Sequence, residues 1–298
     1  MDYDLWCGPA RKLPIFRDTN LAAPRTATYL LCGSPQVGSS TACSNLLGTI
    51  TTPLFTGARP NPSFGYMTIA DSVVNSWYNG FVLQAKKRFS HGLQLQASLT
   101  ISKAQDNGQN SQTFSTSNQP LNSLNLRQDY ALSDFDQRRR FTMSGYYVPP
   151  FSRIQNRYLR AALDGFQLSG ILALYDGRPY SGSVSGNPSP AGTTSGLLGM
   201  NGSARLPWMG RNTYTSPGGA TLDARLAREF RVGERARLQL IAEGFNVLNR
   251  RLVTRINTTA YNIRTLTLFP RTDFQTPSET GSNLVRERQY QLGARFVF

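Results

Sequence analysis

The chain has 298 residues, of which 39% are hydrophobic and 16% are charged, and its net charge is +15. No run approaches the ~18 apolar residues that a membrane-spanning helix needs, which excludes a helical membrane protein. The basic residues are dispersed and accompany no helix-turn-helix, zinc-binding or ribonucleoprotein motif, so we expect no nucleic-acid partner.

Residues 1–74 are predicted to be loop-rich surface, the remnant of a preceding strand near residues 3–6 followed by an extracellular loop, because prolines interrupt them repeatedly. Cys32 and Cys43 could close a small disulfide in an oxidising compartment, while three unpaired thiols, including Cys7, fit the sequence equally well. The first twelve residues do not resemble a secretory signal. An exported chain that starts this way is expected to be the tail of a longer one.

Residues 75–298 are predicted to form barrel strands, because apolar and polar side chains alternate with a period of two. The predicted strands are residues 81–89, 93–101, 140–147, 166–174, 222–230, 238–244 and 288–298. Residues 238–248 also fit a helical stripe, but Gly244 and the tight turn at 232–235 favour a hairpin. A helical turn is expected within residues 153–160.

The connections between these strands alternate in length. Residues 90–92, 148–165 and 232–235 are short or medium connections, whereas residues 103–134, 181–218 and 249–285 are long and polar. Short periplasmic turns and long extracellular loops are typical of an outer-membrane barrel.

The last strand has one apolar face and ends on an aromatic residue. We predict that its apolar face contacts the membrane and contributes to the barrel assembly signal; its residues are Tyr290, Leu292, Ala294, Phe296 and Phe298. A soluble or secreted all-β binding module with a sandwich core would show the same alternation, so this strand alone leaves both interpretations open.

The polar faces of the strands supply candidate lumen-lining residues. These are Gln84, Gln94, Gln96, Gln167, Gln239, Glu243, Gln291 and Arg295. The sequence does not indicate which of them contacts a ligand.

The sequence offers little for catalysis or for binding a cofactor or metal, and we expect neither an enzyme nor a bound cofactor. His91 is the single histidine and lies in a predicted turn, which leaves no multi-histidine site. Asp129, Asp134 and Asp136 precede several arginines, but the EF-hand spacing of a calcium loop is missing. We prefer aspartates that pair with arginines at a loop-to-strand junction. The predicted rim charge cluster is Asp134, Asp136, Arg138 and Arg140.

Several motifs together resemble the C-terminal barrel half of Oar-like TonB-dependent outer-membrane receptors. They are residues 84–92, 100–103, 133–141, 166–171, 177–179, 211–212, 222–223, 242–249 and 291–295, with a weaker echo at 13–20. The resemblance implies a barrel of about 22 strands, plugged by an N-terminal domain, that imports a bound ligand with energy from TonB. Seven or eight strands would be a partial barrel of antiparallel up-and-down transmembrane strands.

The resemblance also implies the location and the partners of the chain. The location would be the outer membrane of a Gram-negative-type cell. The partners would be outer-membrane lipid, the barrel assembly machinery, the missing plug and strands, TonB through that plug, and an unknown ligand. A chain of this size would not transport alone.

Overall fold

The structure is a computed structural model that describes residues 2–38, 41–55, 58–65, 67–108, 120–121, 125–151, 155–186, 205–206, 208–233, 236–280 and 287–298. The strands are β1 (Asp2–Asp18), β2 (Pro24–Cys32), β3 (Leu46–Phe55), β4 (Thr68–Ser90), β5 (Leu93–Asp106), β6 (Ala131–Leu132), β7 (Arg139–Tyr147), β8 (Phe166–Tyr175), β9 (Pro179–Tyr180), β10 (Ser183–Ser185), β11 (Tyr214–Thr215), β12 (Gly219–Val232), β13 (Ala236–Phe245), β14 (Val253–Ile256), β15 (Thr259–Arg264), β16 (Thr267–Pro270), β17 (Pro277–Thr280) and β18 (Gln289–Val297). A 3-10 helix (Leu126–Asp129) and one short helix, α1 (Arg157–Leu163), complete the described elements. None of the helices in these ranges has the length and apolar character needed to span a membrane.

The largest sheet is an antiparallel meander in the order β1-β4-β5-β7-β8-β12-β13-β18, with β6 beside β5. All seven predicted strands belong to it. Strand β13 pairs with both β12 and β18, so the hairpin interpretation of residues 238–244 is confirmed and the helical one is wrong. Within the described residues this sheet does not close, and β1 and β18 form its two edges.

The strand remnant predicted near residues 3–6 lies within β1, but residues 1–74 otherwise differ from the predicted loop-rich surface, because they contain β1, β2 and β3. Strand β1 pairs with β4 from Asp2 to Asp18, with register shifts near residue 13. Pro9 and Pro14 lie within it, although proline cannot donate a backbone hydrogen bond. An edge strand tolerates this loss because half of its donors face away from the sheet. Pro9 and Pro14, which suggested loops in the sequence, therefore lie in an edge strand of the sheet.

The register of the meander sorts the side chains into two faces. On one face, Gln96 lies opposite Ser144, which in turn lies opposite Ile171. On the other face, Leu99 lies opposite Phe141, which lies opposite Leu174. The second face exposes large apolar side chains along its strands; Leu168, Leu174, Leu226, Leu240 and Leu292 are all exposed. No second sheet covers them within the described residues, as a sandwich core would require.

The connections alternate as predicted. Residues 91–92 form a tight turn after β4, and α1 lies in the medium connection between β7 and β8. The long connections leave from the opposite end of the sheet. Three of them contribute to a five-stranded loop sheet in the order β10-β15-β16-β2-β3.

The loop sheet contains the hydrophobic core of the molecule. Its buried residues are Tyr29, Val184, Leu206, Ala260, Ile263 and Leu268. Burial of such side chains contributes about 1.5–3 kcal/mol each for the large ones, so the loops form a packed cap. A disulfide between Cys32 and Cys43 joins the two ends of the β2–β3 connection. Of the two cysteine states compatible with the sequence, the disulfide is therefore the observed one, and Cys7 is free and exposed.

Candidate ligand-binding surface

The polar face of the meander surrounds a cavity of about 420 Å³. Five consecutive strands of the sheet, β5, β7, β8, β12 and β13, contribute to its wall. The polar side chains that line it include Gln94, Gln96, Ser144, Tyr146, Ser169, Arg225 and Glu243. Neighbouring strands present these residues on one side, and the cavity between them makes the polar face locally concave. Its volume lies within the ~300–1,000 Å³ of small-molecule sites.

One ion pair crosses the wall of this cavity. Arg225 Nη1 lies 3.7 Å from Glu243 Oε1, and the two residues are cross-strand partners of β12 and β13. Both side chains remain partly exposed, so this pair adds little stability. Amides, hydroxyls and a solvated ion pair can bind a polar ligand through hydrogen bonds, and the lining contains no histidine or cysteine.

The predicted lumen-lining residues lie on this same face, but only some of them border the cavity. Gln94, Gln96 and Glu243 line it. Gln291 lies opposite Glu243 on the edge strand β18, and Arg295 lies opposite Gln239.

The remaining three predicted lumen residues lie elsewhere on the polar face. Gln239 Nε2 is 3.5 Å from Gln167 Oε1. Gln84 lies opposite Ser98, outside the cavity lining. Their roles in a lumen stay predictions.

The predicted membrane-facing residues of the last strand are exposed. Leu292 lies opposite Ala242, and Phe296 lies opposite Leu238, so the stripe continues the apolar face of β13. Phe296 and Phe298 have ring centroids 6.1 Å apart at the end of the chain. Tyr290 and Ala294 complete the stripe, opposite Gly244 and Leu240 respectively. The geometry fits contact with lipid, and the assembly role stays a prediction.

The predicted rim charge cluster is divided between several contacts. Arg138 Nε lies 3.1 Å from the buried carboxylate of Asp136, which also accepts a hydrogen bond from the Ala104 backbone N–H at 2.6 Å. Arg140 lies within β7 opposite Thr100.

The other member of the cluster, Asp134, faces a distant segment of the chain. Its carboxylate accepts a hydrogen bond from Asn212 Nδ2 at 2.5 Å and lies 3.7 Å from Arg211 Nη1.

Arg211 is the centre of a buried loop network of Asp106, Asp129, Arg205 and Arg211. Its side chain is 1% exposed and forms an ion pair with Asp106. It also donates to the backbone carbonyls of Asp129 at 2.9 Å, Gly108 at 2.8 Å and Asp106 at 3.1 Å. A planar guanidinium can donate hydrogen bonds to several acceptors in this way, whereas the ammonium of lysine cannot reproduce the fixed geometry of its N–H donors.

Asp129 connects the second arginine to this network. Arg205 Nη2 donates to Asp129 Oδ1 at 2.7 Å, and the Leu121 backbone N–H donates to Oδ2 at 3.1 Å. Burial raises the pKa of the Asp129 carboxyl, against the opposing attraction of Arg205 and Arg211. Burial also lowers the pKa of the Arg205 guanidinium, although Asp129 opposes that shift. The network joins the β5–β7 connection to the β8–β12 connection.

No site was predicted for Arg205, Arg211 or Asp106, and Asp129 pairs with Arg205 instead of an arginine at the predicted loop-to-strand junction. Arg211 and Asp106 are 105 positions apart, and no local sequence pattern predicts that they pair. Arg211 does belong to a motif of the family resemblance, which was the available signal.

Comparison with known proteins places the chain in a family. The family described as outer membrane beta barrel domain matches residues 9–207, about two thirds of the chain. Among solved structures, FpvA of P. aeruginosa, determined with heterologous pyoverdines, is similar with a TM-score of 0.40 and 11% identity. The similarity covers 80% of this chain and 21% of that chain. No curated protein matches the sequence.

The all-β architecture, the antiparallel meander and the exposed apolar face agree with the family match. The protein is therefore located in the outer membrane, and the chain belongs to the outer membrane β-barrel domain family.

Proposed function

We propose that this chain forms part of the barrel wall and extracellular cap of a TonB-dependent receptor of the Oar-like group. In this role it binds a ligand and takes part in uptake across the outer membrane, without catalysing a reaction. The observation that carries the proposal is the polar cavity on the concave face of the meander. A barrel whose interior is lined by amides, hydroxyls and charges, with apolar side chains outside, suits the passage or capture of a polar solute.

The packed loops support a receptor more than an open pore. Three long connections share the loop sheet, and the loop network joins one of them, the β8–β12 connection, to the β5–β7 connection. Such a cap rests on the side from which an external ligand would arrive. Preorganised loops lose less conformational entropy when they bind.

The proposal requires further strands as partners. In a bilayer every backbone polar group must be paired, so the edges at β1 and β18 need neighbours. We expect additional barrel strands and a plug, with TonB acting through that plug, and the barrel assembly machinery acting on the strand that ends at Phe298. The chain alone is not expected to transport.

Thiol labelling tests which face of the sheet is in contact with water. In a Cys7→Ser background, Gln96→Cys is expected to react with a charged, hydrophilic maleimide in the outer membrane. Leu95→Cys, the neighbouring residue on the opposite face, is expected to react only with a lipid-soluble maleimide. Equal labelling of both positions by the hydrophilic reagent would contradict a lipid-facing surface and favour the soluble binding module.

The gene tests the receptor part of the proposal. Sequencing upstream of the codon for Met1 is expected to show an open frame that encodes a signal peptide, a plug and further strands. An in-frame stop directly upstream, together with a soluble monomer in the absence of detergent, would refute the receptor.

A further inference from the structure

A second cavity of about 560 Å³ lies at the long-loop end of the meander. It involves the apolar face: Leu99, Phe141 and Leu174, which come from three neighbouring strands and lie opposite one another, form one wall. Leu174 is 39% exposed, so this wall is accessible from outside. We call this cavity the outer-rim groove.

Three arginines border the outer-rim groove. They are Arg139, Arg250 and Arg251, and Asp176 is the one carboxylate among the lining residues. Arg139 donates to Asp176 twice, from Nε at 2.7 Å and from Nη2 at 3.2 Å, yet its side chain stays 71% exposed. The lining of the groove is therefore positively charged.

Hydrogen bonds from the Asn246 side chain hold the backbone of Arg250 in place after the end of β13. Asn246 adopts a positive φ of 47° and accepts a hydrogen bond from the Arg250 N–H at 3.1 Å. The Asn246 amide donates in return to the Arg250 carbonyl at 2.9 Å, and the Asn246 N–H donates to Asp223 Oδ1 at 2.8 Å.

The side chains of the two neighbouring arginines project from this anchored segment. Arg250 and Arg251 are both exposed, and neither forms an ion pair with any residue that the structure describes. Leu252, which follows them, is buried and anchors the segment from the other side. Both arginines thus line the groove on an ordered backbone.

The position of the outer-rim groove selects the kind of molecule that can occupy it. Long loops mark the extracellular side of an outer-membrane barrel, so the groove lies at the level of the outer leaflet. Its apolar wall continues the face that contacts lipid, which favours an acyl chain. Its arginines lie at the loop end of that wall, where a lipid headgroup would lie, and guanidinium binds phosphate bidentately.

We propose that the outer-rim groove binds a phosphorylated, acylated lipid of the outer leaflet, of the lipid A type. Arg250 and Arg251 contact its phosphate, and one acyl chain lies along Leu99, Phe141 and Leu174. The groove lies on the apolar face of the meander and not on the concave polar face. A soluble anion bound to the arginines would not cover the apolar wall of the groove, whereas an acylated lipid would. This inference does not depend on ligand uptake.

Native mass spectrometry of the protein as it is assembled in the outer membrane, extracted into delipidated detergent micelles, tests the proposal. The probes are bisphosphorylated lipid A, the same lipid after removal of both phosphates, and phosphatidylcholine. We expect the bisphosphorylated lipid to bind at least ~10-fold more tightly than either other probe. The dephosphorylated lipid offers the arginines no phosphate, and the single phosphate of phosphatidylcholine is already paired with its own choline cation. Comparable binding of all three probes would overturn the proposal without any mutation.

The variants then locate the site. The double variant Arg250→Gln/Arg251→Gln is expected to lose at least ~10-fold in affinity for bisphosphorylated lipid A. Arg264→Gln is the control, because Arg264 is also exposed but ends β15 in the loop sheet. Circular dichroism verifies that the variants fold. If the glutamine variant misfolds, it is replaced by Arg250→Lys/Arg251→Lys, which keeps both charges. The lysine variant is expected to bind more weakly than the wild type. An equal loss in the control, or no loss in the arginine variants, would overturn the proposal.

Discussion

Replacement of Arg211 by glutamine is expected to release two long loops from each other. The substitution removes the ion pair with Asp106 and leaves the carbonyls of Gly108 and Asp129 without their donor. Because the Arg211 side chain is 1% exposed, water cannot replace these contacts without opening the loops. Loss of one partner from a buried pair costs about 3–5 kcal/mol. The cost falls on the cap, since none of these contacts belongs to the ladder of the meander.

Hydrogen exchange followed by mass spectrometry measures this effect directly. Amide exchange in residues 125–136 is expected to accelerate by about 10²- to 10⁴-fold, because local opening becomes easier by the same free energy. Strands β12 and β13 should keep their protection. Arg127→Gln is the matched control, since Arg127 lies within the monitored residues 125–136 but is exposed. If both variants exchange at the same rate as the wild type, the network does not hold the loops.

Two further predictions concern the loop sheet. Conversion of both Cys32 and Cys43 to serine is expected to lower its stability by about 2–4 kcal/mol, because the disulfide restricts the unfolded connection. Hydrogen exchange of the loop-sheet amides, followed as a function of temperature, measures this loss. Cys7→Ser should leave the stability of the loop sheet unchanged. Burial raises the pKa of Tyr29 to about 12 from 10.0, so the unfolded state ionises first as the pH rises. Stability of the core should therefore be intact below pH ~10 and decline toward pH ~12, as monitored by Trp208 fluorescence, and Tyr29→Phe should remove that decline.

The alternating strands could be predicted from the sequence because their signal is local. Residues 140–147 and 166–174 differ from the observed β7 (Arg139–Tyr147) and β8 (Phe166–Tyr175) by one residue or less at each end. Two-residue periodicity reports directly on a sheet with one apolar and one polar face. The exposure of Leu168 and Leu240 on one face follows from the same pattern.

The cap could not be predicted in this way. Strand β16 pairs in parallel with β2, where Thr267 lies opposite Leu30, and neither short strand shows alternation strong enough to indicate a partner. Only the strand remnant near residues 3–6 was predicted from β1, because Pro9 and Pro14 suggested a loop after it. These prolines are tolerated because one side of the strand is unpaired. The partners of Asp129 were similarly beyond local patterns, since Arg205 is 76 positions away.

The pairing of β2 with β16 also constrains the order in which the protein can assemble. Tyr29 and Leu268 belong to one core, although nearly the whole meander lies between them in the chain. Contacts over such a sequence separation incur a large loop-closure entropy before they contribute stability. The hairpins from β4 to β13 can form from local contacts, whereas the cap must wait for residues near both ends. We therefore expect the cap to fold last, after the strands are in the membrane, and to pack against a sheet that is already in place.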